Sequence, residues 1–189
     1  MSYEYLVASL PMLFPGDPPP FGMAEFLFRC SGVLTPADLQ TIDAVLAGRA
    51  GDIDHAAVQE WAAHETQLRN ATALARAAVW QTDARPFLHS HAGFDGEVRD
   101  GVADAFTKAS PMERERALDR CRWRILDDIA RRDYFGMGAV IAFVLKLQMV
   151  ERAAVWTQEA GRAALENHLR TLETGRDHSI ETTEPEGRK

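Results

Sequence analysis

The sequence predicts an all-α fold, built as a single helical domain or as two packed helical lobes. Two helix starts indicate this fold class, Thr35-Pro36-Ala37-Asp38 and Ser110-Pro111-Met112-Glu113. In each, a hydroxyl can cap the helix, proline suits the first turn, and an acidic side chain stands at the third helical position. Apolar residues then recur at spacings of three and four, and the alternation typical of strands is almost absent.

The N-terminal segment carries the main strand signal. Residues 3–10 are rich in Tyr, Leu and Val, and this propensity favours a short strand that Pro11 would end. The following segment, 14–22, is rich in proline, which fixes φ and lacks a donor N–H. We therefore expect an extended linker there.

The rest of the chain reads as a succession of helices, followed by a polar tail. The predicted helices cover residues 23–30, 35–46, 54–80, 97–108, 110–132, 137–157 and 162–172. Pro86, Gly93 and Gly96 break the loop over 82–96, which is the boundary if there are two lobes. Residues 174–189 hold few large apolar side chains, so we expect a disordered tail after a domain that spans residues 1–173.

Charge and hydropathy argue against two classes of partner. The formal net charge is −7 at pH 7, which disfavours nucleic acid because phosphates attract Lys and Arg. The longest apolar run, from Met137 to Leu145, is followed at once by Lys146 and Gln148, so it falls short of the ~18 residues that span a bilayer. We expect no direct membrane insertion, so any work at a membrane requires another protein to hold the chain there.

Signatures of catalysis are missing from the sequence. The phosphate-loop pattern and the G-x-S-x-G pattern do not occur, and Cys30 and Cys121 stand alone in no paired motif. The N-terminus has no basic region typical of a secretory signal, and two unpaired thiols suit a reducing compartment. The sequence therefore predicts a cytoplasmic protein with no catalytic residues and no cofactor of its own.

A metal site is the main chemical alternative. His89 and His91, two residues apart, could share a metal ion on an extended backbone, with Asp95 as a third ligand. The competing interpretation is a pair of loop histidines beside the apolar Phe87 and Phe94. His55 and His64 lie nine residues apart on one predicted helix, too far to share a metal by themselves.

Two groups of side chains are candidates for binding a partner protein. On the helix over 110–132, Arg120 and Arg124 flank Trp123, and Trp and Arg are common at binding hot spots. The competing interpretation is a solvated face. On and beside the most apolar helix stand Lys146, Glu151 and Arg152, which either line a groove for another protein or reach solvent at the helix edge.

The segments that carry a family resemblance are 3–11, with the pattern Tyr3-x-Tyr5-Leu-Val-Ala-Ser-Leu-Pro, and the run Asp133-Tyr-Phe-Gly with the apolar stretch 140–152 that follows. They resemble the opening and the C-terminal core of an uncharacterised bacterial family whose genes lie among those of the V-type ATP synthase. The second segment is also similar to the last lobe of the V-type ATPase rotor collar, which is known as the C or d subunit. In that lobe a helix ending in Lys and Glu precedes another helix through a Gly-containing turn. The corresponding positions are Lys146, Glu151 and Gly161.

The resemblance implies a helical body like that of the C-type collar, on the cytoplasmic face of the membrane ring, in which residues 3–10 form a first helix or an extended arm. Its partners would be the central stalk and the membrane ring, which it would link for ion transport coupled to ATP. The C-type collar has three similar lobes, and 189 residues supply about two. A shortened collar, or an assembly or regulatory factor of the same complex, is therefore also expected.

Overall fold

The computed structural model describes residues 3–156 and 161–171, and it confirms the all-α fold. The helices are α1 (Tyr3–Ser9), α2 (Met23–Ser31), α3 (Pro36–Leu46), α4 (Ala56–Trp80), α5 (Gly96–Thr107), α6 (Pro111–Arg132), α7 (Met137–Ala154) and α8 (161–171), with 3-10 turns at Ala50–Asp52 and Arg85–Phe87. Strands do not occur within these two ranges. The predicted tail, 174–189, lies outside the described residues.

Of the alternatives for residues 3–10, the helix is confirmed, since Tyr3–Ser9 form α1, and the strand and the extended arm are wrong. Leu6 is buried, and Tyr3, Val7 and Leu10 pack against the same core. These four positions have the spacing i, i+3, i+4, i+7 of one helical face. Burial of that face outweighs the weak strand propensity of the individual residues.

Both predicted helix starts are confirmed as reciprocal capping boxes. The Thr35 hydroxyl accepts a hydrogen bond from the Asp38 amide at 3.2 Å, and the Asp38 carboxylate accepts one from the Thr35 amide at 3.0 Å. The Ser110 hydroxyl likewise accepts from the Glu113 amide at 3.1 Å. These caps satisfy amides that the first helical turn leaves without a partner, so local chemistry sets where α3 and α6 begin.

Helix α7 provides the most buried surface of the core. Its residues Val140, Ile141, Val144 and Leu147 are fully buried. Phe143 of α7 stacks on Phe26 of α2 with ring centroids 5.2 Å apart. The burial of these side chains places α7 in the centre of the core, as expected of the most apolar helix.

Helices α4, α5 and α6 pack on one another, and the loop between α4 and α5 is tied back to α4. Asn70 exchanges two hydrogen bonds with the backbone of His89, at 2.7 and 3.0 Å. Gln67 does the same with the backbone of Asp95, at 2.6 and 2.9 Å. These side-chain amides hold the loop against the helix that precedes it.

Contacts divide the chain into two compact units, Met1–Glu151 and Arg152–Lys189. The second unit contains the 11-residue helix α8, on which every residue is exposed. None of the helices in the described ranges is both long enough and apolar enough to cross a membrane.

Candidate protein-docking surface

The structure brings together two of the predicted partner-binding residues, Trp123 of α6 and Lys146 of α7. The Lys146 ammonium lies 5.1 Å from the centroid of the Trp123 ring and forms an ion pair with Asp127. Its side chain is only 13% exposed. The Lys146 charge is thus balanced inside the chain, by a carboxylate and by the face of an aromatic ring.

The two arginines predicted beside Trp123 differ in their surroundings. Arg124 forms an ion pair with Glu97 of α5 at 2.8 Å, so it links α6 to α5. Arg120 lies on the exposed side of α6. The structure therefore leaves Arg120 on the surface and uses Arg124 within the helical packing.

Glu151, near the end of α7, forms a hydrogen bond with a residue of another helix. Its carboxylate accepts a hydrogen bond from the Met23 amide at 2.7 Å, at the first residue of α2. A carboxylate at a helix N-terminus accepts a hydrogen bond from an amide that has no partner within the helix. Its negative charge also interacts favourably with the positive end of the helix dipole. Arg152 belongs to the second unit, where its guanidinium lies 5.2 Å from the centroid of the Trp156 ring.

An exposed pair of aromatic side chains stands on the tight turn between α6 and α7. Tyr134 and Phe135 are 63% and 51% exposed, and their rings meet edge to face with centroids 4.7 Å apart. The Asp133 carboxylate holds the turn by accepting a hydrogen bond from the Gly138 amide at 2.6 Å. A Cβ at Gly136 would collide with the Asp133 carboxylate, so a larger residue there would displace the carboxylate that holds the turn. We call Tyr134 and Phe135 the aromatic corner.

The phenol of Tyr3, at the start of α1, is influenced by burial and by two carboxylates. Tyr3 donates a hydrogen bond to Asp38, and its pKa is raised to about 12, first by burial, then by Asp38 and by the charge of Asp133.

The candidate metal ligands do not converge. The backbone carbonyl of His89 accepts a hydrogen bond from Asn70. The Asp95 carboxylate caps α5 by accepting a hydrogen bond from the Glu97 amide at 2.8 Å. The Asp95 carboxylate also lies 3.7 Å from the Nε2 atom of His64. Over residues 3–156 and 161–171, no group of three or more His, Cys, Asp or Glu side chains is arranged to hold a metal ion.

Both cysteines are buried free thiols. Burial raises the pKa of Cys30 to about 11. Burial also raises the pKa of Cys121, against the opposing charges of nearby arginines. A thiol that stays protonated and shielded at neutral pH lacks the thiolate that nucleophilic chemistry needs.

Comparison with known protein families gives a partial match. A family model described as "Protein of unknown function (DUF2764)" matches residues 97–176, somewhat less than half of the chain. The match contains α5, α6 and α7, the turn with Tyr134 and Phe135, and α8. No curated protein and no solved structure matches the chain.

Proposed function

We propose that this protein is a non-catalytic helical component of a V-type ATPase, which docks on a neighbouring protein of the complex through the aromatic corner. In this role it would link the central stalk to the membrane ring. The aromatic corner lies in one of the two segments that resemble the family encoded among V-type ATP synthase genes. Its place in that segment supports a role in the same complex.

The observation that carries the docking role is the exposure of Tyr134 and Phe135 on a fixed turn. Burying one large apolar side chain is worth roughly 1.5–3 kcal/mol, so leaving two in water forgoes a substantial stabilisation. Asp133 and Gly136 hold the turn in one shape, which lowers the entropy lost when a partner binds. Exposed aromatic side chains on a rigid support are typical of binding hot spots.

Co-purification tests the proposal. The tagged full-length chain is expressed together with the V-type ATPase proteins encoded in the same genome and is recovered under native conditions. We expect the central stalk or the membrane ring to be recovered with it. The double substitution Tyr134→Ser/Phe135→Ser should weaken this association at least about tenfold, since one hot-spot aromatic side chain contributes roughly 2 kcal/mol.

Phe28→Ser is the matched control. Phe28 is 79% exposed on α2, so its loss removes a similar apolar surface without touching the corner. Circular dichroism of each variant checks that the fold is kept. Recovery of no ATPase protein with the wild type would contradict the proposed complex, and equal recovery with both variants would contradict the proposed surface.

The stoichiometry of the purified enzyme separates a permanent component from an assembly or regulatory factor. A permanent component is present in the mature, active complex in a fixed ratio. An assembly factor binds to intermediates and is absent from the finished enzyme. The docking surface is the same in both cases.

A further inference from the structure

A polar cleft lies between α4 and α6, away from the aromatic corner. Its volume is about 220 Å³, enough for a small ligand with a few bound waters. One wall is formed by Arg69, Thr72 and Arg76, at the spacing i, i+3, i+7 along one face of α4. The other wall includes Glu115 and Arg122 of α6.

Thr72 is the first sign that the cleft takes a ligand. Its hydroxyl is buried without a hydrogen-bond partner, and the residue is only 8% exposed. A buried hydroxyl left unsatisfied is destabilising, so such groups in folded proteins nearly always have a partner. Thr72 lines the cleft, and a change of its χ1 rotamer is needed to bring the hydroxyl, which is now buried, to a molecule bound there.

Arg76 is the second sign, because its guanidinium retains donors. Its closest approach to Glu115 is 3.8 Å, which is too long for a hydrogen bond. Arg122, in contrast, is fully engaged with carboxylates: it donates to Glu65 at 2.9 and 3.3 Å and to Asp119 at 3.1 Å. Of the three arginines that line the cleft, Arg69 and Arg122 pair with carboxylates outside the lining, and Arg76 retains the most free donors.

We propose that this cleft binds an oxyanion, of carboxylate or phosphate type, through the guanidinium of Arg76 and the hydroxyl of Thr72. Arg69, whose Nε atom donates to Glu65 at 2.9 Å, is a further donor through its terminal amino groups. Guanidinium groups match the geometry of both anions. Glu65 and Asp119 do not line the cleft, but they neutralise Arg69 and Arg122, so Arg76 supplies most of the attraction for the anion. The site is independent of the proposed docking function.

Nuclear magnetic resonance of the full-length protein tests the site. Sodium phosphate is titrated at ionic strength held constant with sodium chloride, and the side-chain Nε–Hε resonances of Arg69 and Arg76 are followed. We expect saturable shifts of these two resonances. Thr72→Val should weaken phosphate binding about fivefold, because it removes one donor without changing the volume. Arg76→Gln should weaken it about tenfold or more, because it removes a charged donor.

Two controls keep a structural role separate from a binding role. Thr72→Ser restores the hydroxyl and should bind phosphate within about twofold of the wild type. Arg99→Gln removes an exposed arginine of α5 that pairs with Asp100, and it should leave the titration unchanged. In phosphate-free buffer Thr72→Val should unfold at higher urea than the wild type, because an unsatisfied hydroxyl has been removed. Added phosphate should raise the midpoint of the wild type, of Thr72→Ser and of Arg99→Gln more than that of Thr72→Val.

Two further titrations identify the source of the anion. One uses a peptide of six glutamates and the other uses sodium acetate, and their binding is compared at equal carboxylate concentration. Tighter binding of the peptide by tenfold or more indicates an acidic segment of a protein, and tightest binding of phosphate indicates a free anion of that type. Either result supports the site. The proposal is overturned if the wild type shows no saturable shift, or if Thr72→Val and Arg76→Gln respond to phosphate as the wild type does. It is independent of the corner, so Tyr134→Ser/Phe135→Ser should not alter the titration.

Discussion

Replacing Gly101 with alanine should destabilise the protein, although alanine is the better helix former. Gly101 lies in the middle of α5 against Cys121 of α6. A Cβ added to it would collide with the Cys121 sulfur, far inside the ~3.5–4.0 Å at which non-bonded heavy atoms normally stay apart. Cys121 is buried, so its sulfur can move only by displacing other core atoms or by separating the helices.

The magnitude follows from two opposing effects. Alanine gains about 1 kcal/mol over glycine inside a helix. Overpacking a close-packed core costs roughly 1–3 kcal/mol, and a contact this short belongs at the upper end of that range. We therefore expect Gly101→Ala to lower the free energy of unfolding by about 2 kcal/mol.

A double-mutant cycle with Cys121→Ala identifies the cause. Without the sulfur, the nearest Cys121 atom to the new methyl group is the Cβ atom at 3.8 Å, which is an ordinary contact. In that background Gly101→Ala should stabilise by about 1 kcal/mol through helix propensity. The coupling energy between the two sites should therefore be roughly 3 kcal/mol.

Urea unfolding followed by tryptophan fluorescence and by circular dichroism measures these free energies, provided that the slope with urea stays constant. Gly96→Ala is the matched control, because it makes the same change on the same helix where a Cβ meets nothing within 4 Å. A Gly101→Ala variant as stable as the wild type, or a coupling energy near zero, would refute the packing argument.

Three further predictions concern single groups. Glu151→Ala should lower the free energy of unfolding by about 1 kcal/mol through loss of the α2 cap, and Glu151→Gln, which keeps an acceptor, should lose less in the same urea assay. The Tyr3 phenol should titrate near pH 12 in a spectrophotometric titration, and Tyr3→Phe should remove that transition. Because the folded pKa is raised above the unfolded value of about 10, its contribution to stability is complete below pH 10 and is lost as the pH rises toward 12. Cys30 and Cys121 should resist a thiol reagent at pH 8 until urea unfolds the protein, so rapid reaction in the native state would contradict their burial.

The helices could be predicted from the sequence because their signals are local. Thr35 and Ser110 cap within three residues, and the observed starts of α3 and α6 follow them directly. The stripe of apolar residues on α6 is buried as its spacing predicts. The secondary structure of residues 3–10 cannot be predicted in this way, because their residue types favour a strand. These residues form a helix because one helical face is buried against the core.

The chemical environment of the candidate residues could not be predicted in the same way. Lys146 and Glu151 are charged residues on an otherwise apolar helix. Their positions in the sequence do not reveal which residues of other helices they contact. Their partners lie on other helices, and Met23 is 128 residues from Glu151. The cleft beside Thr72 arises similarly, because its two walls belong to different helices.

Caps, prolines and apolar spacing act within a few residues, so they are enough to predict that the chain is helical and where most of its helices begin and end. The tertiary structure alone decided which charges are balanced internally, which aromatic side chains remain in water, and which donors converge on a cleft. Those properties depend on the packing of helices distant in sequence, as in the contact by which Glu151 of α7 caps α2 at Met23.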